Sequence, residues 1–259
     1  MFDQPLDLAK ARILLSNDDG IAAPGLKALE RAVRKFAKDV WVVAPEVEQS
    51  GAAHSLTLRH PLRLRKLGTK RFAVDGTPTD CVMLALREVM KDKRPTLLIS
   101  GINFGGNMGE DVTYSGTVAA AMEGTLLGVP SIAFSLHVTD GVPRWDMAAE
   151  IVGRVVPRLI TGSWPPDTLM NVNIPNLPVE EITGIRATAQ GRRQIGDNIV
   201  KAVDPRGRAY YWIGPIRNEA MVEAGTDIGA VGEGAVSVTP IHLDLTHQPA
   251  LDALREVFP

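Results

Sequence analysis

Short apolar runs separated by helix-period stretches narrow the folds open to this chain more than any other feature. Residues 40–44 read Val-Trp-Val-Val-Ala and are bounded by a charge and a proline. A strand apolar on both faces belongs inside a parallel sheet covered by helices on each side. Residues 12–16, 96–100 and 131–135 read as core strands of the same kind. Between them, residues 24–36 place Leu26, Leu29, Val33 and Phe36 on one helical face. Residues 77–90 open with Thr77 as N-cap, Pro78 at the first helical position and Asp80 three residues after the cap. Residues 113–127 form a helix of small residues, and residues 147–159 a further helix. This alternation predicts an α/β fold with a doubly wound, mostly parallel sheet. Residues 56–74 alternate around Leu67-Gly68-Thr69-Lys70 and predict a β-hairpin insertion.

The second half changes character. Residues 169–174 are a strand, residues 235–241 a late strand and residues 249–257 a short final helix. Residues 186–213 are polar, rich in Gly and Arg, and end in Tyr210-Tyr211-Trp212, so they read as an extended hairpin or arm. An arm that cannot bury its own apolar residues docks on another subunit.

Composition removes several function classes. A net charge of −2 gives no positive excess, so nucleic acid is not expected as a partner. The lone cysteine, Cys81, cannot form an internal disulfide and sits in an apolar helical pattern, as a small buried hydrophobe does. Residues 1–10 lack the apolar stretch of a signal peptide, and no apolar run is long enough to span a membrane. A cytoplasmic location is the default expectation.

In an open parallel sheet, ligands bind beyond the carboxyl ends of the strands. Three such ends carry polar residues: Ser16-Asn17-Asp18-Asp19-Gly20, Glu48-Gln49-Ser50-Gly51, and Ser100-Gly101-Ile102-Asn103-Phe104-Gly105-Gly106-Asn107. Adjacent carboxylates repel, burial raises both pKa values, and a divalent cation removes the penalty. Asp18 and Asp19 would reach one ion only if the strand has ended before them, and Gly20 permits that turn. Carboxylate, hydroxyl and amide oxygens are hard ligands suited to Mg²⁺, Mn²⁺ or Ca²⁺. Taken alone, the doublet is equally good turn chemistry; its expected convergence with Ser50 and Asn103 favours the metal. Ser115, Gly116 and Thr117 open a helix of small residues and form a candidate phosphate site, with simple capping an equal alternative. The glycines around Asn103 and Asn107 have neither P-loop nor dinucleotide spacing. The five histidines show no metal-ligand spacing; His54 or His137 would approach the strand ends as an acid, against a default of surface or core roles. There is no Gly-x-Ser-x-Gly elbow for a serine hydrolase.

These motifs resemble those of the SurE family, the stationary-phase survival nucleotidases. The likeness rests on Leu15-Ser16-Asn17-Asp18-Asp19-Gly20, Gln49-Ser50-Gly51, Gly76-Thr77-Pro78-Thr79-Asp80-Cys81, Ser100-Gly101-Ile102-Asn103 and Tyr114-Ser115-Gly116-Thr117. Later matches are residues 171–175 and Val236-Ser237-Val238-Thr239-Pro240. The resemblance implies a Rossmann-like domain and a 5′-nucleotidase acting on nucleoside monophosphates, with 3′-nucleotidase and short-chain polyphosphatase activity in some members. It implies one divalent ion per subunit, Mg²⁺ or Mn²⁺ with Ca²⁺ a possible substitute in crystals, on Asp18, Asp19, Ser50 and Asn103. It also implies homodimers or homotetramers with a swapped C-terminal segment. The expected division is an extension over 1–10, a catalytic core over 11–180, and over 181–259 an arm, a strand returning to the core and a terminal helix for oligomerisation. The expected chemistry is attack on phosphorus by a water that the ion activates or that Asp18 or Asn107 positions, with Ser115–Thr117 holding phosphate oxygens.

Three rivals make different demands. A haloacid-dehalogenase-type phosphatase needs an aspartate nucleophile where this chain has Asn17. A nucleotide-binding regulatory module has no use for paired carboxylates without a metal. An RNA binder would use Arg186, Arg192, Arg193, Arg206 and Arg208 with Tyr210, Tyr211 and Trp212.

Overall fold

The computed structural model describes residues 5–193, 199–213 and 223–258. Nine strands form one sheet in the order β3-β4-β2-β1-β5-β6-β7-β11-β8. They are β1 Arg12–Ser16, β2 Asp39–Pro45, β3 Leu64–Gly68, β4 Arg71–Val74, β5 Leu97–Phe104, β6 Ser131–His137, β7 Thr168–Pro175, β8 Gly184–Ala187 and β11 Ala235–His242. Strands β4, β2, β1, β5, β6 and β7 run parallel; β3 is antiparallel to β4, and β11 to β7. Chain order steps outward from β1 in both directions, to β2 and to β5, which creates a switch point beside β1.

Strand alternation divides the interior into two cores. Ile13 and Leu15 face one side and Leu14 the other. The first side is covered by α1 (Pro24–Val33) and α4 (Trp145–Leu159), which pack on each other. The second is covered by α2 (Pro78–Leu84, continued by a π turn Ala85–Val89) and α3 (Gly116–Leu126). Helix α2 starts as expected: Thr77 Oγ1 accepts from Asp80 N at 3.1 Å, and Asp80 Oδ2 accepts from Thr77 N at 2.9 Å. Cys81 is fully buried in the second core, and that burial pushes its thiol pKa well up. Near the N-terminus, Leu6 and Leu8 pack on the first core, and Leu6 N donates to Ile160 O at 3.2 Å.

Several boundaries differ from expectation. The hairpin expected over 56–74 is confined to β3 and β4. Strand β5 continues past Ser100 to Phe104, with a register shift between Ser100 and Asn103. Gly101 makes this possible: its φ is +126°, and a Cβ there would lie 2.3 Å from Phe134 O. The expected arm over 186–213 is not one unit. Arg186 and Ala187 belong to β8, which pairs in parallel with β11. The free hairpin is β9 (Ile199–Val203) with β10 (Ala209–Ile213); residues 194–198 of the expected arm lie outside the described residues. A short helix, α5 (Asp227–Gly232), was not anticipated. Exposed apolar side chains concentrate on the hairpin (Ile199, Val200, Tyr211, Trp212, Ile213) and beside the last helix, α6 (Gln248–Val257), where Val257 and Phe258 face outward. The arginines proposed for RNA are largely committed: Arg186 pairs with Glu233, Arg193 with Asp111 and Arg208 with Asp204. No helix among the described residues is long and apolar enough to cross a membrane.

Candidate active site

Strand β1 ends at Ser16, and the chain then turns on itself. Asn17 Nδ2 donates to Gly20 O at 3.0 Å, and Gly20 adopts a φ of +97°. A Cβ at Gly20 would lie 3.3 Å from the carbonyl carbon of Val47, so glycine also lets the loop after β2 approach. The turn releases Asp18 and Asp19 from the strand pleat, as a shared ion would require. Three segments distant in sequence then fasten onto the doublet. Gln49 N donates to Asp18 O at 2.9 Å. Phe104 N, at the end of β5, donates to Asp19 Oδ2 at 3.2 Å. The Thr117 hydroxyl donates to Asp18 Oδ1, and a Cβ at Gly116 would come within 2.8 Å of the Asp18 Cβ.

The doublet is electrostatically unbalanced. Asp18 is 4% exposed. Burial raises its pKa, the Thr117 side chain and backbone oppose that rise, and Glu48 adds repulsion. Asp19 is raised to about 6 by burial first, then by the Asp18 charge, against the Phe104 N–H. Among the described residues, no Lys, Arg or His forms an ion pair with Asp18, Asp19 or Glu48. Next to the doublet in sequence and across the strand, Ser16 Oγ, Asn17 Oδ1 and Ser100 Oγ are buried with no hydrogen-bond partner among the described residues, and Ser16 and Ser100 are cross-strand neighbours. A hard divalent cation fits such a place, because it offsets the repulsion and takes oxygen ligands.

Asn103 and Ser50, nominated from sequence, stand beside the Phe104 and Gln49 N–H groups that fasten onto the doublet. Asn103 Nδ2 donates to Gly105 O at 2.8 Å, leaving Oδ1 as its acceptor. Ser50 is exposed, and its Oγ donates to Glu48 Oε1 at 2.7 Å. Glu48, read from sequence as part of this polar strand end but not as a ligand, adds a carboxylate whose charge raises both Asp18 and Asp19. Among the described residues, no group of three or more His, Cys, Asp or Glu side chains is arranged to hold a metal. An ion here would therefore need the hydroxyl and amide oxygens as well as the carboxylates.

The start of α3 is already partly employed. Ser115 is the N-cap, and its Oγ accepts from Val118 N at 3.1 Å. The Thr117 hydroxyl is spent on Asp18. The helix N-terminus thus directs its favourable field at Asp18, beside which a phosphate would have to enter.

Asn107 sits apart, in a polar network over β6 and β7. Its N–H donates to Asn173 Oδ1 at 2.8 Å, and its Nδ2 donates to Ser135 Oγ at 2.8 Å. Its carbonyl accepts from Asn171 Nδ2 at 2.8 Å and Asn173 Nδ2 at 3.0 Å. None of these bonds reaches the doublet. The network exists because Ser135, Asn171 and Asn173 occupy the α3-side face of their strands, where the opposite face carries Phe134, Val172 and Ile174 of the first core. The alternation Asn171-Val172-Asn173 was its visible signal. A second tether was invisible: the fully buried Asp227 accepts from Gly109 N at 2.9 Å, Gly191 N at 2.8 Å and Ile228 N at 2.8 Å. It straps the loop after Asn107 to the C-terminal segment. His54 Nε2 lies 3.0 Å from Glu123 Oε2, midway along α3, and His137 lies against Gly106. A surface cleft of about 730 Å³ between α1 and α4 contains none of these residues, and two of its charges, Arg31 and Asp146, pair with each other.

Comparison with known proteins identifies the family and its fold. A family model described as survival protein SurE matches residues 13–197. The 5′-nucleotidase SurE of Paramagnetospirillum magneticum is 54% identical over 99% of both chains. That of Rhodospirillum rubrum is 52% identical over the full length of both. The crystal structure of the SurE protein from Aquifex aeolicus superimposes with a TM-score of 0.84 at 45% identity, covering 96% of this chain and all of that one. With a family model matching most of its length, relatives at half identity across its whole length, and the same sheet, this chain belongs to the SurE family.

Proposed function

We propose that the protein is a divalent-metal-dependent phosphomonoesterase that hydrolyses nucleoside 5′-monophosphates to nucleoside and phosphate. One observation carries the reading. The ends of β1 and β5, the loop after β2 and the start of α3 meet at two desolvated carboxylates that form no ion pair among the described residues. The relatives at half identity are named 5′-nucleotidases, which directs the phosphatase chemistry to nucleotides. 3′-Monophosphates and short polyphosphate present the same terminal phosphate and are secondary substrates on this reading.

Asp18, Asp19, Ser50 and Asn103 would hold one Mg²⁺ or Mn²⁺, which when bound neutralises charge on the transferring phosphoryl group. Thr117 fixes the Asp18 carboxylate, and the Phe104 N–H fixes Asp19. The first turn of α3, from Ser115 through Gly116 to Thr117, offers backbone N–H groups to phosphate oxygens. Asn107, held rigid by Ser135 and Asn173, keeps its side-chain oxygen to orient the attacking water. The P–O bond to the nucleoside breaks as the new P–O bond to water forms. Asn17 braces the turn through Gly20 and is an amide, which suits this route over a phospho-aspartate one.

The exposed apolar hairpin and terminal helix suit a homodimer or homotetramer built by exchange of C-terminal segments. A cytoplasmic setting suits a chain with a single, buried cysteine.

The test is phosphate release from AMP with Mn²⁺ or Mg²⁺ and with chelator, for wild type and Asp18→Asn. Release that needs the ion and is lost in the variant is expected. AMP binding without release under every divalent ion would favour the regulatory module, and a trapped aspartyl-phosphate would overturn the water route.

A further inference from the structure

Strand β5 places a large aromatic ring beside the acidic doublet. Phe104 is 56% exposed, yet its own N–H is bonded to Asp19 Oδ2 at 3.2 Å. Exposed single hydrophobics are common and carry nothing alone. Here the position carries the weight, because the ring stands within a nucleotide's reach of any phosphate held at Asp18 and Asp19. The ring is also braced. Trp145, the first residue of α4, approaches it with ring centroids 6.5 Å apart and planes inclined by 52°. Trp145 is itself seated against α1, where a Cβ on Gly25 would come within 3.1 Å of its Cζ3. The next residues, Gly105 and Gly106, add no side chains, and a Cβ at Gly105 would meet only Asn103 Nδ2, at 3.8 Å. A Cβ at Gly106 would instead meet His137 Nδ1 at 2.8 Å, so the open stretch next to Phe104 is at Gly105, between the ring and Asn103.

We propose that Phe104, braced by Trp145, is the stacking platform for the base of the nucleotide substrate. The inference rests on the nucleotidase reading above and extends it to the part of the substrate distant from the phosphate. A phenyl ring offers a π-face and no hydrogen-bonding group, so it binds any base by area. Purine monophosphates are then preferred over pyrimidine monophosphates, with little discrimination between purines. Trp145 packs beside the ring at a tilt, and Phe104 keeps more than half of its surface for a base.

The experiment compares kcat/KM for AMP with kcat/KM for ribose 5-phosphate, on the full chain with Mn²⁺, in wild type, Phe104→Ala, Phe104→Leu and Phe104→Trp. The alanine and leucine variants are expected to lower the AMP to ribose 5-phosphate ratio about tenfold, as loss of one base–aromatic stack does. The tryptophan variant restores it, and the purine over pyrimidine preference shrinks in parallel with the ratio. A wild-type enzyme that treats both substrates alike overturns the platform while leaving the phosphatase reading intact. So does an unchanged ratio in Phe104→Ala, or an equal fall for both substrates, which marks a structural role. Release of phosphate from neither substrate by wild type removes the nucleotidase reading and this inference with it.

Discussion

Replacing Asp19 with asparagine should make the metal-free protein more stable. The carboxyl is raised from 3.8 to about 6 by burial and by the neighbouring Asp18 charge. A shift of about two units corresponds to at most about 3 kcal/mol, and the partial exposure of Asp19 reduces this to about 1–2 kcal/mol. The sign follows from proton linkage. The folded state holds the proton more tightly than the unfolded one, so wild-type stability falls as pH rises from about 4 to 6 and the penalty is constant above that. Asparagine keeps an oxygen for the Phe104 N–H but carries no charge. In EDTA near pH 7.5 the variant should therefore unfold roughly 2–6 °C above wild type, at the few degrees per kcal/mol typical of a chain this size. The gap should close as pH is lowered towards about 4, where both side chains are neutral. Adding Mg²⁺ or Mn²⁺ should reverse the order. An ion at about a hundred times its Kd stabilises the state that binds it by about 2.7 kcal/mol, and the variant has lost a ligand. Calorimetry or dye-monitored melting of both proteins across this pH range, with EDTA and with ion, checks each step. A variant less stable than wild type in EDTA near pH 7.5, or a gap indifferent to pH, would refute the claim that the doublet is an uncompensated charge cluster.

Two further outcomes follow from the tethers. Thr117→Val removes the hydroxyl that donates to Asp18 Oδ1. Hydrogen bonds to charged groups contribute about 1.5–3 kcal/mol, so losing this one should raise the Asp18 pKa further. The acid limb of the kcat/KM–pH profile should then move to higher pH, and an unmoved limb would show that Asp18 ionisation does not govern activity. Asp227→Ala leaves the N–H groups of Gly109, Gly191 and Ile228 without their shared acceptor. Urea unfolding should show a loss of about 3 kcal/mol, and kcat should fall with little change in metal affinity, because the strap holds the Asn107 loop rather than the doublet.

Much of the sheet was legible because its central strands carry their own signature. Residues 12–16, 40–44 and 131–135 are apolar enough to be buried on both faces, and they all became strands. Thr77, Pro78 and Asp80 marked a helix start through local chemistry alone, and both halves of that capping box formed. What failed depended on neighbours the local sequence does not name. Gly101 reads as a break, yet it is the residue that lets β5 continue past the backbone of Phe134. Residues 184–187 have no strand signature and pair only because β11 returns alongside them. The arm was therefore drawn too long at its start, while its exposed hairpin, Tyr210 to Trp212 included, was recognisable from polarity and aromatic content.

The candidate site was nominated from the same kind of local signal. Asp18 and Asp19 could be nominated because a turn at a strand end is a local event, and Ser50 and Asn103 because they end neighbouring strands. Glu48 and Asp227 acquire their importance only from what the fold sets against them. Asp18 and the half-buried Asp19, with no ion pair to either among the described residues, break the rule that buried charges are paired, and such breaks gather at functional sites. The chain supplies partial relief: a hydroxyl and a helix N-terminus for Asp18, one N–H for Asp19, one hydroxyl for Glu48. Each of these donors favours a single ionised oxygen, and none brings a positive charge to the three carboxylates. The surplus negative charge also opposes the approach of a phosphate dianion to the start of α3. A divalent ion between them answers both needs at once, which is why binding of metal and binding of phosphate should be mutually dependent rather than two separable affinities.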